Sequence, residues 1–446
     1  MFSGLKMQYK LSDFLSEQLI NPEHGLLKIK SFIDYEKINK IYQGCFPSQK
    51  GNASKNTELV IGLLLLEHLF NLSDEGVVKQ LHENIYFMNF CSVSPEEIKE
   101  ARENNKNKQV IDRTTLVKVR GRLGPRRIKK IERIVFKQLK KAGVISGKTL
   151  ITDTTSIEKN IIYPTEISLL KRVIEAAEMV CQKIIYKKEM IKTQVIKKAN
   201  QISKIYYSSG QKTKELLTSC GQQLLTIAKG LVEKAKATIQ GCSKKTQKKL
   251  HEIYDKVATV GVKILEQVTK KMEGEKVEDK IVSYFEEHAR ALPKGKIHKP
   301  CEFGVKGRID MEERGYITNY ECYLGNPADV TMIEKAMEEH SREFGKTFKE
   351  ATADRGFYDE ELNAKLEEKY GVMLAIPHKK DRKDIMGEKK ESIYQHKRPA
   401  IEAKISEGKR VVGLGKSMYK GYFGDQIWLA LSVLSLNLRR YLREAT

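Results

Sequence analysis

The chain has 446 residues, with 81 lysines and arginines against 58 aspartates and glutamates, and a formal net charge of +23 at pH 7. Hydrophobic residues make up 40% of it, which predicts folded cores rather than disorder, and the length predicts two or three domains. The apolar stretches at 60–70 and 427–438 are too short to span a membrane, and residues 1–14 lack the apolar segment of a signal peptide. Neither a membrane protein nor a secreted protein is expected.

The seven cysteines are scattered along the chain and never form a Cys-x-x-Cys pair. A disulfide framework or a zinc knuckle needs closer, paired spacing. The cysteines therefore predict reduced thiols in a cytoplasmic protein.

The positive charge is concentrated in two stretches, residues 101–150 and residues 161–300, which each carry a net charge of +13. Concentrated positive charge is typical of proteins that bind a polyanion, because neutralising phosphates releases counterions. It is also compatible with a surface that only keeps the protein soluble, or with attraction to a ribosome or a membrane surface. Charge alone favours nucleic acid slightly over these alternatives.

Residues 1–142 predict a helical domain. Leu59, Leu63 and Leu66 recur at helical spacing, and Ser73 is a candidate cap for the following helix. The pair at 124–125, Gly-Pro, predicts a break before a basic helix over 126–141. Short helices with basic faces fit a DNA-binding domain, although an ordinary helical bundle with a solvated basic face has the same pattern.

Residues 147–156 predict a strand that ends at Asp153, because β-branched residues alternate up to that position. In residues 165–298, apolar residues step by threes and fours, with interruptions at 208–210 and 241–243. This stretch predicts three long amphipathic helices coated with lysine. Contact with the DNA backbone, pairing of protomers and a purely structural insertion all remain open for it.

Residues 301–446 alternate between predicted strands and helices. Strands are expected over 302–309, 316–323, 347–354 and 372–377, and helices over 330–344, 359–370 and, in two pieces, 392–442. The third of these strands ends at Asp354. The apolar piece over 427–440 is expected to pack against a sheet.

Two aspartates at predicted strand ends, Asp153 and Asp354, and a glutamate on a later helix, Glu402, form a candidate metal site. Hard carboxylate oxygens suit Mg²⁺, which keeps several waters and shares its coordination sphere with phosphate oxygens. Two such ions activate the attacking oxygen and stabilise the leaving oxygen in an in-line displacement. The chain has neither a Gly-x-Ser-x-Gly elbow nor a phosphate-binding P-loop. Taken singly, each acid is as well explained as a cap, a turn residue or a surface acid.

Several short motifs together resemble the DDE transposases of bacterial insertion sequences. They are Ile151-Thr-Asp153-Thr-Thr, Tyr163-Pro-Thr165, Gly325-Asn-Pro-Ala-Asp329, Thr352-Ala-Asp354-Arg-Gly-Phe357 and Asn437-Leu-Arg-Arg440. In the N-terminal region, Leu72-Ser-Asp74-Glu75 and the segment 112–120 match the usual N-terminal domain of these transposases in order and spacing. The resemblance covers most of the chain outside about 165–298, which looks like a helical insertion.

A family signature places Tyr, Arg, Glu and Lys around the third acid, and Tyr394, Arg398, Glu402 and Lys409 supply it here. The family has two residues between Tyr and Arg, whereas this chain has three. Arg398 and Glu402 are four positions apart and Lys409 is seven further on, so these three share one face of a helix.

The resemblance implies an α/β catalytic domain of the RNase H-like type, formed by 143–164 and 299–446, with a five-stranded mixed sheet flanked by helices. Asp153, Asp354 and Glu402 would be the catalytic residues and would hold two Mg²⁺ ions, for which Mn²⁺ can substitute. The implied reaction is hydrolysis of a strand at the element end, followed by attack of the freed 3′-hydroxyl on target DNA. DNA contacts are implied for the cations and the tyrosine near the acids, namely Tyr394, Arg398, Lys409, Arg355 and Lys306.

The implied partners are double-stranded DNA with terminal inverted repeats, target DNA, and a second copy of the chain in a homodimer or larger synaptic complex. No membrane partner is expected, and the protein would lie in the bacterial cytoplasm, on the nucleoid when bound. Asn326 is a further candidate for the same cleft as Lys306, and Arg355 is slightly favoured as a structural partner of Asp354. Two other functions remain open: a metal-dependent DNA nuclease of the same fold that does not join strands, and a non-catalytic DNA-binding protein derived from a transposase.

Overall fold

The computed structural model describes residues 20–46, 55–105, 107–184, 193–294, 301–378 and 387–445. These residues fall into two compact units. The first is drawn from Met1–Ile157, Lys306–Tyr323 and Pro327–Thr446, and the second from Glu158–Val305 and Leu324–Asn326. Within the described ranges, no helix combines the length and the apolar composition needed to cross a membrane. All seven cysteines are free, as predicted.

The elements are labelled in chain order. The helices are α1 (Gly25–Phe32), α2 (Tyr35–Gln43), α3 (Thr57–Leu69), α4 (Asp74–Glu83), α5 (Ile85–Phe90), α6 (Pro95–Asn104), α7 (Arg113–Lys141), α8 (Glu166–Cys181), α9 (Gln194–Ser208), α10 (Lys214–Gln240), α11 (Lys244–Lys256), α12 (Val262–Met272), α13 (Ile333–Phe344), α14 (Glu360–Tyr370), α15 (Glu388–Val411) and α16 (Gly421–Ala445). The strands are β1 (Thr149–Lys159), β2 (Arg290–Pro293), β3 (Cys301–Met311), β4 (Ile317–Tyr323), β5 (Glu350–Ala353), β6 (Met373–Ala375) and β7 (Lys416–Ser417).

Helix α3 is the centre of the N-terminal part of the first unit. Its sequence is apolar around the whole helix, and a helix of this kind is stable only when other elements cover it on every side. Asn56 caps α3, and Ser73 caps α4 by accepting a hydrogen bond from the Gly76 N–H, which confirms the predicted cap. Helix α16 packs against α3, α7 and β4, so the predicted packing of the last apolar helix on the sheet is also confirmed.

Helix α7 is bent at the predicted break. Gly124 has φ 63° and ψ 172°, and Pro125, which has no N–H to donate, follows it. The segment after the bend buries Ile128, Ile131 and Leu139. The bend therefore divides α7 into two segments. The first begins at Arg113, and the second ends at Lys141.

Among the described residues, seven strands form one mixed sheet in the order β2-β3-β1-β5-β6, with β4 paired to β3 and β7 paired to β1. Strands β1, β5 and β6 are parallel, whereas β2 and β4 are antiparallel to β3. Helices α13 and α14 pack beside the parallel strands around a core that includes Leu150, Met337 and Leu366. The predicted mixed α/β fold is confirmed, but the expected number of five strands was wrong because β2 and β7, of four and two residues, were not recognised.

The expectation that the first strand ends at Asp153 was also wrong. Strand β1 continues for six more residues to Lys159. Its neighbour β5 ends at Ala353, but β3 lies on its other side and keeps the strand in the sheet. The continuation, Thr154 to Lys159, contains two threonines and an isoleucine, which favour extended backbone.

The second unit contains a helical bundle with its own hydrophobic core, formed by α8 to α12. Three long helices were expected, but the described part of this region has four helical runs: α8, α9, α10, and a last run in which a π-helical stretch, Val257–Gly261, joins α11 to α12. Helix α8 ends at Cys181, and Lys183, two residues later, has a φ of 55° that no right-handed helix adopts. Residues 185–192 lie outside the described ranges.

Gly147, just before β1, combines a left-handed backbone with close packing. Its φ is +71°, and a Cβ atom there would lie 2.0 Å from the Phe344 ring. We expect Gly147→Ala to lower the free energy of unfolding by about 2–4 kcal/mol, through backbone strain and overpacking together. Gly143→Ala is the matched control, because Gly143 has φ +74° but open space around its Cβ position. Urea denaturation of both variants measures the difference, and equal losses would contradict the packing argument.

Candidate active site

Asp153 and Asp354 lie side by side because of the register of two parallel strands. Thr152 of β1 pairs with Ala353 of β5, and each aspartate is the next residue along its strand. Asp153 Oδ1 accepts a hydrogen bond of 2.6 Å from the Thr154 N–H, and Asp354 accepts one from the Gly356 N–H at the start of a 3₁₀ turn. The parallel register therefore places the two carboxylates side by side where β5 ends, although β1 continues beyond this point.

Helix α15 brings the third acid to the same edge. Lys397 anchors the helix to the sheet by donating to Thr149 Oγ1 at 2.8 Å and pairing with the Glu350 carboxylate. Arg398 follows it in the chain, and Glu402 lies one helical turn further on. The anchor therefore fixes which face of α15 meets Asp153 and Asp354.

The three carboxylates converge on the guanidinium group of Arg398. Arg398 Nη2 lies 3.9 Å from Asp153 Oδ2 and 3.6 Å from Asp354 Oδ2, and Arg398 Nη1 lies 2.5 Å from Glu402 Oε1. The structure thus brings together the three acids that the sequence analysis selected, with a cation between them. In this arrangement no group of three His, Cys, Asp or Glu side chains among the described residues has the geometry of a metal site.

The three acids differ in their exposure to solvent. The side chain of Asp153 is 14% exposed, that of Asp354 37% and that of Glu402 54%. The pKa of Asp153 is raised to about 6, mainly by burial. The carboxylates of Asp354 and Asp329 also raise it, whereas the Thr154 N–H and Arg398 lower it. The site is therefore closed on the β1 side and open to solvent on the α15 side.

The raised pKa of Asp153 predicts a pH-dependent cost in stability. The pKa is about 6 in the folded chain against 3.8 ordinarily, so the folded state holds the proton more tightly, and stability falls as pH rises from about 4 through 6. We expect Asp153→Asn to raise the free energy of unfolding of the metal-free protein at pH 7 by roughly 1–3 kcal/mol. Urea denaturation in chelator at pH 7 and pH 4 measures this gain. A gain in stability that is the same at both pH values would contradict the raised pKa of Asp153.

The remaining predicted residues of α15 share the face that carries Arg398. Tyr394, Arg398, Glu402 and Lys409 are spaced by four, four and seven positions in one continuous helix, which places them within an arc of about 80°. The extra residue between Tyr394 and Arg398, relative to the family pattern, therefore leaves the tyrosine on this face. The helix runs through Gly408, where a Cβ atom would lie 2.8 Å from Leu414.

Lys306 and Arg355 lie near the acids in different settings. Lys306 of β3 is largely buried, and its Nζ donates to the Pro327 carbonyl at 2.8 Å and lies 3.0 Å from Asp329 Oδ1. Arg355 is exposed and directly follows Asp354. Lys306 therefore holds a neighbouring acid in place in this structure, whereas the Arg355 side chain lies at the protein surface.

Asp329 is a fourth carboxylate beside the site that the sequence analysis did not select. Its Oδ1 accepts a hydrogen bond of 3.1 Å from Thr154 Oγ1 in addition to the Lys306 pair. A Cβ atom on Gly356 would lie 2.9 Å from Asp329 Oδ2 and 3.0 Å from Asp354 Oδ1, so only glycine fits between the two carboxylates. The motif at 325–329 was the available signal, but its spacing gives no sign that its last residue reaches β1.

A buried ion-pair network supports the strand that carries Asp153. Thr152 Oγ1 donates to Asp310 Oδ1 at 2.7 Å, and Arg308 donates to Asp310 Oδ2 through Nε at 3.1 Å and Nη2 at 2.9 Å. The side chains of Arg308 and Asp310 are 0% and 1% exposed. This network ties β3 to β1 one residue before Asp153.

Two protein families match the chain. The transposase domain family DUF772 matches residues 14–122, and the transposase DDE domain family matches residues 285–438, a range that includes Asp354, Arg398 and Glu402. A curated protein of Rhizobium meliloti, described as uncharacterized protein ORF8 in the nfe locus, is 26% identical over 162 residues, which are 36% of this chain and 73% of that protein. No solved structure matches the chain at a significant level.

The two family matches together span more than half of the chain, one on the N-terminal helices and one on the sheet and its last helices. Asp153 lies between them, and the register of β1 and β5 places it beside the matched Asp354. The chain therefore belongs to the DDE transposases of insertion sequences.

Proposed function

We propose that this transposase cuts DNA at the ends of its insertion sequence and transfers the freed 3′-hydroxyl into target DNA. The proposal rests on one observation above all: Asp153, Asp354 and Glu402, from two strands and a helix, converge on a single cation. Three carboxylates at one open sheet edge suit phosphoryl transfer that uses neither a protein nucleophile nor a covalent intermediate. The residues 143–164 and 299–446 would then form an RNase H-like catalytic domain.

The donor set fits divalent metal ions, which DDE transposases use. Three carboxylates with no sulfur or imidazole ligand among them are the ligands that Mg²⁺ prefers, and Mn²⁺ accepts the same oxygens. Asp153, Asp354 and Glu402 would hold two such ions, which would activate the attacking oxygen and stabilise the leaving oxygen. The carboxylates already surround a positive charge, that of Arg398, so their electrostatic field favours a cation at this place.

The protein side chains around the acids would orient the DNA. Arg398 and Lys409 present positive charge on the face of α15 that carries Glu402, and Tyr394 adds a hydroxyl and a ring on that face. We assign them to contacts with the phosphates on both sides of the scissile bond, where charge-assisted hydrogen bonds position a strand. Arg355, exposed beside Asp354, would contribute in the same way, and Lys306 would act through Asp329.

The other parts of the chain would handle the rest of the substrate. We assign residues 1–142 to binding the terminal inverted repeats, and residues 165–298 to the DNA backbone or to a second protomer. Two element ends must be handled together, so a homodimer or a larger synaptic complex is proposed. Because its substrate is chromosomal and element DNA, the protein would act in the bacterial cytoplasm, on the nucleoid.

The experiment that tests the proposal uses two labelled duplexes with the inverted repeats that flank the coding region. The intact end reports cleavage, and the pre-cleaved end with a free 3′-hydroxyl reports joining to plasmid DNA. The proposal expects both products in Mg²⁺ and neither in chelator. Cleavage without joining would instead indicate a nuclease, and binding without either product a non-catalytic DNA-binding protein.

Arg398 is expected to compete with metal ions for the carboxylates. Its guanidinium lies within 4 Å of all three acids, so its removal frees their negative charge for Mn²⁺. We expect Arg398→Gln to tighten Mn²⁺ binding by about five- to tenfold in the absence of DNA, which corresponds to about 1 kcal/mol. The electron paramagnetic resonance signal of free Mn²⁺ measures this directly. Lys409→Gln, on the same helix face, is the control. An equal effect in both variants would show that the loss of one positive charge, and not the position of Arg398 between the acids, changes the Mn²⁺ affinity.

A further inference from the structure

Helix α7 carries twelve lysines and arginines but a single acid, Glu132, which is 2% exposed. The sequence alone does not distinguish which of these twelve cations have partners inside the protein. The structure divides them into two groups, according to whether their charged ends have partners inside the protein.

The first group is used internally. Arg120 pairs with Asp74 at 2.6 Å, Arg133 with Glu343 at 2.7 Å and Lys140 with Glu343 at 2.9 Å. Lys129 donates to Asn319 Oδ1 at 2.8 Å and lies over the Tyr320 ring. These cations hold α7 against the rest of the first unit, so they are not available to a partner.

Four cations of the second group form a stripe on the outer face of α7 after its bend. Arg126, Lys130, Lys137 and Lys141 are all exposed, and in the described part of the chain none of them has a hydrogen bond or an ion pair. Their spacing of four, seven and four residues places them within an arc of about 60°. The opposite face of the same segment is the one that buries Ile128, Ile131, Val135 and Leu139 in the core. We call these four cations the α7 stripe.

We propose that the α7 stripe binds the sugar–phosphate backbone of duplex DNA. The segment from Arg126 to Lys141 extends about 22 Å along the helix, the length of about six base pairs. No large hydrophobic side chain is exposed between Arg126 and Lys141. A membrane-binding helix or a protein interface needs such anchors, whereas phosphate contacts need only cations. This inference rests on the proposed function and adds to it the surface that holds the DNA.

Contacts of this kind carry no sequence information, because every base pair has the same phosphates. The stripe would therefore add to affinity for all duplexes equally, and its contribution would depend steeply on salt. A protein that neutralises Z phosphates of duplex DNA loses affinity with a slope of about −0.9Z in a plot of log K against log salt. Four contacts thus correspond to a slope of about −3.6.

The test compares two variants that each remove four positive charges. One carries Arg126→Gln, Lys130→Gln, Lys137→Gln and Lys141→Gln. The control carries Lys346→Gln, Lys349→Gln, Lys365→Gln and Lys389→Gln, which are also exposed but lie outside α7. Fluorescence anisotropy between 50 and 200 mM KCl gives the affinity for an element-end duplex and for an unrelated duplex. Circular dichroism checks that both variants are folded.

We expect the stripe variant to lose about 3 to 4 units of the salt slope and at least tenfold in affinity at 100 mM KCl on both duplexes. The control should keep most of its slope, and a Lys→Arg variant of the three stripe lysines should retain the wild-type slope. Equal losses in the stripe variant and the control would overturn the proposal, as would a loss confined to the element-end duplex. Joining of a pre-cleaved end at low salt is measured alongside. If the stripe variant joins the pre-cleaved end and its salt slope equals that of the wild type, the proposed DNA contact by the α7 stripe is wrong and the proposed transposase function stands.

Discussion

Replacing Asp354 with asparagine is expected to reduce cleavage of an element end by about a thousandfold or more while leaving the affinity for DNA unchanged. Asparagine keeps the size of the side chain and can still accept the hydrogen bond from the Gly356 N–H, so the turn after β5 should remain folded. What disappears is one negative charge of the three around Arg398. Without that charge the proposed metal ligands no longer form a complete set, and about 4 kcal/mol of transition-state stabilisation is lost.

The control for this variant lies five residues away. Asp359 caps α14 by accepting a hydrogen bond of 3.0 Å from the Leu362 N–H, and asparagine caps a helix about as well as aspartate. Asp359→Asn removes the same charge from the same segment without touching the site. Gel-based cleavage assays and anisotropy measure both variants, together with Glu402→Gln. If Asp354→Asn cleaves at the wild-type rate, Asp354 has no place in the chemistry.

The position of Asp354 was predictable because its signals are local. A short strand, Glu-Ala-Thr-Ala, followed at once by an acid, an arginine and a glycine marks a strand end, and the structure ends β5 at Ala353. The common face of Arg398, Glu402 and Lys409 was predictable for the same reason, since it depends only on helical spacing. Both inferences needed no knowledge of which elements are neighbours.

What the sequence could not supply is the set of contacts between distant segments. Asp329 is 175 residues from Thr154, and their hydrogen bond depends on how the turn before α13 folds over β1. The same limit applies to Lys306, which sequence reasoning selected as a DNA contact and which the structure pairs with Asp329. A cation looks alike in the sequence whether its partner is a carboxylate of the same chain or a phosphate of another molecule.

Strand β1 shows how tertiary context moves an element boundary. The change from apolar to polar residues at Asp153 is typical of a strand end, and the half-buried pair Asp153 and Thr154 agrees with it. The next residues, Thr155, Ser156 and Ile157, are buried again because β3 continues alongside. Asp153 is therefore held in mid-strand, which accounts for its low exposure and its raised pKa.

Removing the buried cation beside β1 is expected to have the largest effect on stability. We expect Arg308→Met to lower the free energy of unfolding by about 3–5 kcal/mol, because Asp310 then remains buried and charged without its partner. Arg308 also lies 3.5 Å from Glu321 and pairs with Glu339, so three acids lose one shared cation. Urea denaturation at pH 7 measures the loss.

A double-mutant cycle separates the pair from its surroundings. Asp310→Asn removes the charge but retains an oxygen that can accept the Thr152 hydroxyl hydrogen bond, so Arg308→Met with Asp310→Asn should be at least 1 kcal/mol more stable than Arg308→Met alone. The cost of the first substitution comes from an unpaired buried charge, and the second substitution removes that charge. Strictly additive losses would show instead that Arg308 acts through packing. Because Thr152 precedes Asp153, the same variants should weaken cleavage in proportion to the loss of this network, and the double variant should recover part of the activity.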